Sequence, residues 1–328
     1  MKVSIIIPVY NVAPYIERCI KSVMNQTYSD DIECILVNDA TPDDSIAIAE
    51  RLIADYKGPI QFRILSHEQN RGLSATRNTG IDAATGDYLY FFDSDDEITP
   101  DCIEKLAHPI LKDSTIEMVE GCYTTITTDR NNVVSERLAT RPQLEFNSKE
   151  AVRDFYFSKR YQNKLAWNKL VNRGFVLENQ LYFRNIIAED DFWHFHYFKY
   201  LSHLYIISDI TYKYYKRPNS ITTTPNKNYR NQMGFHFAEI AKNLTPNDSV
   251  REVKYFLTSF SWFYRKGPTN PAYRRVSSQF LDVLKNNHCI KEWRFLKFIV
   301  MASKFTPTRF FINSVGSIIF RIKLKIKG

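Results

Sequence analysis

The 328-residue sequence predicts an α/β fold: a mostly parallel sheet with helices on both faces, followed by a C-terminal helical region. Three observations carry the prediction. Apolar runs of strand length recur, and they are continuous rather than alternating, as strands covered on both faces read. Segments of helical period separate them. Each run also ends in polar residues of chemical interest, where open sheets of this class bind ligands.

In chain order, Val3–Val9 is the first strand, ending at Pro8-Val9-Tyr10-Asn11. A helix follows, with Pro14 near its first turn and Ile16, Ile20, Val23 and Met24 at helical spacing. Glu33–Val37 is the second strand and Asp43–Tyr56 the second helix, with Ile46, Ala49, Leu52 and Ile53 on one face. Gln61–Leu65 and Leu73–Ala84 form the third pair, and Gly86 breaks the chain before a fourth strand, Tyr88–Phe92. Past residue 100 the pattern loosens. Ile116–Tyr123 and Val133–Leu138 read as strands around the polar turn Asp129–Asn132, Glu189–Tyr200 as an aromatic-rich helix, and Leu204–Ser208 and Tyr212–Tyr215 as short strands. Helical segments are expected near 229–243, 249–265, 272–286 and 292–320. The stretch Thr222–Asn226 is the expected boundary. It divides the chain into a domain over 1–222, with halves of about 1–100 and 101–222, and a helical region over 223–328.

Charge narrows the partners. The net charge of +8 is carried entirely by residues 291–328, which hold nine Lys/Arg against the single acid Glu292. The first 290 residues balance at 35 against 35, so the body has no electrostatic footprint for nucleic acid, and none is expected as a partner. Five scattered cysteines without C-x-x-C spacing read as reduced thiols of a cytosolic protein. The apolar run at Val3–Pro8 is a strand and not a signal peptide, and no apolar stretch is long enough to span a bilayer.

The residues after the strands form a row. Asp93-Ser94-Asp95 ends the fourth strand. Two carboxylates one residue apart suit a hard divalent cation, Mn²⁺ or Mg²⁺, which prefers oxygen ligands and is commonly completed by substrate phosphates. The other reading is a solvated acidic turn extended by Asp96 and Glu97. Asp39, after the second strand, accepts from a nucleobase imide N–H or caps the next helix. Arg77, in the third helix, meets a base or a phosphate, or lies on the surface.

Four runs together carry a resemblance: V-S-I-I-I-P-V-Y-N, V-N-D-A-T-P-D-D-S, N-R-G-L-S-A-T-R-N-T-G and G-D-Y-L-Y-F-F-D-S-D-D. In this order and spacing they resemble glycosyltransferase family 2 with its GT-A fold, over about residues 1–222. The resemblance implies a Rossmann-like GT-A domain that moves a sugar from a nucleotide-diphosphate donor with inversion, assisted by a divalent metal. It implies that Pro8, Val9 and Tyr10 wall the base and that Asp39 binds it, usually as uridine, so that the donor is a UDP-sugar. Asn70 and Arg77 are implied as further nucleotide contacts, Asp95 as the direct metal ligand and Asp93 as its ribose-side partner. Asn38-Asp39-Ala40-Thr41 departs from the family's common D-D-G-S but keeps the second aspartate.

Downstream, Ala166-Trp167-Asn168-Lys169-Leu170 and Ile187–Phe192 resemble the family's W-N-K and E-D motifs. They imply Asp190 as the general base, with Asp191 second and Glu189 orienting the acceptor or the loop. An acidic helix N-terminus is the plain reading of the same three acids. Tyr214–Ile221 resembles a closing segment in which Arg217 or Lys216 stabilises the diphosphate. The tail Arg309–Gly328 alternates aliphatic and basic residues at its end, which suits an anionic membrane surface or a helix packed on the protein. The expected setting is cytoplasmic, peripheral on the inner face of the cell membrane, beside a glycan or lipid-linked acceptor of surface polysaccharide synthesis. A nucleotidyltransferase and a non-catalytic nucleotide-sugar-binding protein are the other classes. Against the first, Asn11-Val12-Ala13-Pro14 lacks a glycine-rich basic phosphate loop.

Overall fold

Seven consecutive buried residues make β1 (Val3–Val9) an interior strand with parallel neighbours on both sides. β2 (Ile32–Asn38) lies on one side and β4 (Tyr88–Phe91) on the other. β3 (Gln61–Ser66) extends the sheet beyond β2, also parallel. The helices α1 (Ala13–Met24), α2 (Ser45–Asp55) and α3 (Leu73–Ala83) connect them. The strand order β3-β2-β1-β4 means that the chain winds outward from β1 and then returns to its other side. The carboxyl ends of β1 and β4 therefore flank a topological switch point, which is where sheets of this kind open a crevice. α3 lies close against β1: a Cβ at Gly80 would come 2.3 Å from Ile6 Cγ2, so only glycine fits there.

In this computed structural model the described residues are 1–128, 134–157, 164–186 and 189–216, with single helical positions at 237, 278, 281, 282, 285, 294 and 297. Beyond β4 the sheet becomes mixed, in the order β9 (Lys169–Asn172), β6 (Met118–Thr128), β10 (Leu204–Lys216) and β5 (Glu97–Ile98). β9 is antiparallel to both β4 and β6, whereas β6 and β10 are parallel. β7 (Val134–Ala139) pairs with β6, and β8 (Leu144–Phe146) with β10. The helices α4 (Cys102–Lys112), α5 (Lys149–Phe157), α6 (Arg173–Glu178) and α7 (Glu189–Tyr200) complete the described elements. None is long and apolar enough to cross a membrane. The chain divides into two compact units, Met1–Asn185 with Glu189–Thr224, and Ile186–Ala188 with Pro225–Gly328.

Three differences from the sequence reading have physical causes. The two short strands expected at 204–215 are one strand, β10, whose register shifts between Ile206 and Tyr212 around the exposed Ser208 and Asp209. α4 carries Pro109 in its interior, a helix-breaking signal, yet buries Ile103, Leu106, Ala107 and Ile110 on one side. β9 is four residues long and starts with a fully buried lysine, so it has no apolar signature. The turn expected at Asp129–Asn132, the boundary at Thr222–Asn226 and the tail 309–328 lie outside the described residues. So does most of each helical segment expected after residue 228.

Candidate active site

Asp39 follows β2, and its N–H donates to Val9 O at 3.0 Å, which binds it to the end of β1. It is 2% exposed. Its Oδ1 accepts from Arg71 N (2.8 Å) and lies 2.7 Å from His67 Nδ1, and its Oδ2 accepts from Gly72 N (2.8 Å). A carboxylate only accepts, so His67 Nδ1 is the donor, and His67 Nε2 lies 2.9 Å from the Thr79 hydroxyl oxygen. Gly72 adopts φ 86°, a left-handed conformation that favours glycine. Burial pushes the Asp39 carboxyl up, but the donors of Arg71, His67 and Gly72 together hold it below the usual carboxylate range. With one protein donor on Oδ2, a second lone pair there remains for a ligand N–H. Asn70 is exposed in the same loop. Of the three residues expected to wall a base, Pro8 and Val9 are buried in the sheet, and Tyr10 is 47% exposed.

The acidic run after β4 is divided in its duties. Asp93 and Asp95 are half-buried, whereas Asp96 is fully buried. Asp96 accepts from Tyr212 Oη (2.7 Å) and Tyr215 N (2.8 Å), so it fastens the acidic loop to β10. Burial, then Asp95 and Asp93, push its carboxyl well above the usual range. Arg18 of α1 donates to the Asp95 carbonyl and stacks with its Cζ 3.6 Å from the Tyr215 ring centre. The Asp93 and Asp95 side chains supply oxygen donors only, a set that fits Mg²⁺ or Mn²⁺ and leaves further positions to substrate oxygens. Among the described residues the only three-residue group suited to an ion is Asp113, Glu145 and His203, at the opposite end of the sheet where β6 and β10 begin.

Arg77 is 1% exposed and is the junction of the site. Its Nη2 donates to Asp93 Oδ1 at 3.0 Å, and its Nη1 donates to Asp190 Oδ1 at 2.7 Å and Glu189 Oε1 at 3.0 Å. Its guanidinium lies 5.0 Å from the Phe183 ring centre, and Phe183 stacks on Trp193 at 4.8 Å. Ser74 and Asn78, four residues apart on one helical face beside Arg77, grip the segment that leads to α7. Ser74 Oγ donates to Arg184 O at 2.8 Å, and Asn78 pairs both ways with the Phe183 backbone at 2.9 Å. Burial, with Asp95 and Asp190 adding to it against the pull of Arg77, pushes the Asp93 carboxyl up to about 6. Burial and Asp190 push the Glu189 carboxyl up to about 7. Asp191 lies in the first turn of α7, and its side chain is outside the described residues, as is Arg217. Lys216 is exposed at the end of β10.

The W-N-K run supports the site from below. Trp167 stacks on Tyr212 at 4.2 Å, and Tyr212 holds Asp96. Asn168 takes φ 62°, donates to Cys122 O at 2.9 Å and accepts from Thr211 at 2.7 Å. Lys169 is fully buried; it donates to Leu165 O, and its Nζ lies 4.0 Å from Glu120 Oε1. Burial pulls its ammonium down to about 8. Sequence reasoning missed Arg18, Asp96 and the Ser74–Asn78 clamp. Only the last had a signal, polar side chains three and four residues apart beside Arg77.

The sheet order, with its carboxylates gathered at the β1/β4 switch point, belongs to the GT-A class of α/β folds. The family model "Glycosyl transferase family 2" matches residues 4–189, more than half of the chain, and the chain belongs to that family. A Bacillus subtilis (strain 168) protein, "Uncharacterized glycosyltransferase EpsJ", is 36% identical over 234 residues, which cover 69% of this chain and 64% of that relative. The chain thus spans under two thirds of that relative's length. The solved structure of Staphylococcus aureus TarS 1-349 in complex with UDP-GlcNAc superposes with a TM-score of 0.58 at 18% identity, covering 90% of each chain. The mannosyltransferase PcManGT from Pyrobaculum calidifontis, in complex with GDP-Man and Mn²⁺, reaches 0.52 at 16% identity, covering 95% of this chain and 86% of its own.

Proposed function

We propose that this chain transfers a sugar, with inversion, from a UDP-sugar to a hydroxyl group of a glycan or lipid-linked acceptor. The observation that carries the proposal is a convergence. Asp93 at the end of β4 and Asp190 at the start of α7 meet the same buried guanidinium, so the candidate metal-side acid and the candidate base border one crevice. In this reading Asp39 receives the base imide N–H on Oδ2, Tyr10 lines the base with Pro8 and Val9 behind it, and Asn70 and Arg217 add donor contacts. Asp95 and Asp93 hold a divalent cation, which when bound neutralises charge on the leaving diphosphate. Asp190 takes the proton of the acceptor hydroxyl. The freed oxygen attacks the anomeric carbon opposite the diphosphate. The bond from that carbon to the phosphate oxygen breaks, and its electron pair leaves with the diphosphate. Glu189, sharing Nη1 of Arg77, orients Asp190. UDP as the carrier is supported by the UDP-GlcNAc complex of a structural neighbour, and Mn²⁺ by the ion in another.

The test is thermal stabilisation by UDP- and GDP-sugars with and without Mn²⁺, followed by UDP release. UDP-sugars are expected to stabilise the protein only with metal, and Asp95→Asn to abolish this. Asp190→Asn is expected to keep donor binding and lose about 10³-fold in UDP release. Undiminished turnover in that variant moves the base elsewhere. Within the same reading the tail 309–328 docks on anionic lipid; its deletion is expected to reduce partition onto phosphatidylserine vesicles, and unchanged partition refutes the docking.

A further inference from the structure

We infer that Arg77 is a positioning residue that sets the spacing between Asp93 and Asp190, coupling the donor side of the crevice to its base side, and is not a nucleotide contact. The inference rests on the reading of Asp190 as the base. At 1% exposure the guanidinium has no surface to offer a nucleotide, and both terminal nitrogens are committed to carboxylates. It takes Oδ1 of Asp93 and Oδ1 of Asp190, and among the described residues neither Oδ2 has a protein partner. One oxygen of each aspartate is thus anchored and the other left for chemistry. An arginine suits this role because its rigid planar fork fixes two directions at once, whereas a lysine offers a single point charge.

The surroundings fix the fork in turn. Ser74 and Asn78, on the same face of α3, hold the backbone at Phe183 and Arg184 just ahead of α7. Phe183, stacked on Trp193 and edge-on to Phe91, floors the guanidinium. α3 is anchored at its other side by Gly80 against Ile6 of β1. The position of α7 relative to β4 therefore passes through α3, and Arg77 is the charged element of that path. Three carboxylates around one guanidinium make the arrangement depend on it: without Arg77 they repel one another in a half-buried setting.

The experiment uses the full chain with Mn²⁺, UDP as binding probe, and UDP-GlcNAc, UDP-glucose and UDP-galactose as donors. For Arg77→Lys, UDP affinity is expected within about threefold of the unsubstituted protein while kcat for UDP release falls by about 100-fold, a kcat effect without a matching binding effect. In the pair Arg77→Lys with Asp190→Asn, the loss is expected to equal that of Asp190→Asn alone, because Arg77 acts through that carboxylate. A fall of UDP affinity parallel to kcat, or fully additive losses, overturns the inference. A second arm needs no turnover. Arg77→Met is expected to lower Tm, and adding Glu189→Gln to it to raise Tm again, whereas Glu189→Gln by itself does not raise it. If the Tm of Arg77→Met is not raised by Glu189→Gln, the junction is not held by charge and the inference falls. If the unsubstituted protein turns over no nucleotide sugar, the proposed function falls, and the Tm arm still decides the place of Arg77.

Discussion

Asp39 in the first half and the acids of α7 in the second are held by different devices. Asp39 sits among donors from one short loop: two backbone N–H groups and an imidazole between residues 67 and 72. Asp190 and Glu189 are held across 113 and 112 residues of chain by a single side chain, and Asp96, itself just after β4, is held from the second half by the Tyr212 hydroxyl and the Tyr215 N–H. Parallel strands joined by helical crossovers place their carboxyl ends on one side of the sheet, where neighbouring loops meet through the backbone itself. The second half mixes antiparallel and parallel strands, and the acids it holds depend on side-chain packing. The donor side is accordingly expected to tolerate distant substitutions better than the base side.

The largest expected effect that would break this comparison is on the packing side. Trp167→Ala removes the ring stacked on Tyr212 and is expected to cost about 3–5 kcal/mol in urea unfolding, with UDP–Mn²⁺ binding weakened because Asp96 loses a fixed partner. A cost below about 1 kcal/mol would mean that the acidic loop stands without the stack. Next comes Asp39→Ala, which removes the acceptor of the Arg71 and Gly72 N–H groups in a half-buried loop, at about 1 kcal/mol each. Because the folded carboxyl of Asp39 lies below its unfolded value, its contribution is full above the unfolded value and is lost as pH falls through the folded one. The difference in stability between the unsubstituted protein and Asp39→Asn should therefore shrink on acidification. A constant difference from pH 7 to 3 contradicts that assignment.

The smallest effect sharpens the comparison through Lys169. Its folded value of about 8 lies below the ordinary lysine value of about 10.4. Between the two the unfolded chain binds more protons, so this group makes stability rise with pH across that window. Lys169→Met is expected to remove that rise and leave the rest of the profile unchanged. Equal slopes in both proteins would show that Lys169 is not desolvated in the folded state.

Legibility followed the same division. β1, β2 and β4 read directly, since a strand covered on both faces writes a continuous apolar run, and the edge strand β3 read from its place between two helical segments. Their polar termini, Tyr10, Asp39 and Asp93-Ser94-Asp95, were marked by position alone. In the second half, Pro109 disguised α4, two exposed polar residues split β10, and β9 hid behind a buried lysine. Arg77 was visible as a residue and opaque in its partners. Nothing local distinguishes a guanidinium aimed at solvent from one aimed at carboxylates more than a hundred positions away.

By itself, the sequence determined the α/β class, the order of the first strands and helices, and the row of residues at the strand ends. These follow from periodicity and short-range stereochemistry, which are properties of contiguous residues. Only the tertiary structure decided that Asp96 is a buried fastening and not a solvated extension, that Arg18 and Tyr215 brace the loop, and that Asp93, Glu189 and Asp190 share one arginine. Those outcomes depend on which distant groups packing brings within hydrogen-bond reach. Burial then gives each pairing its strength, because the same charges in water would interact weakly.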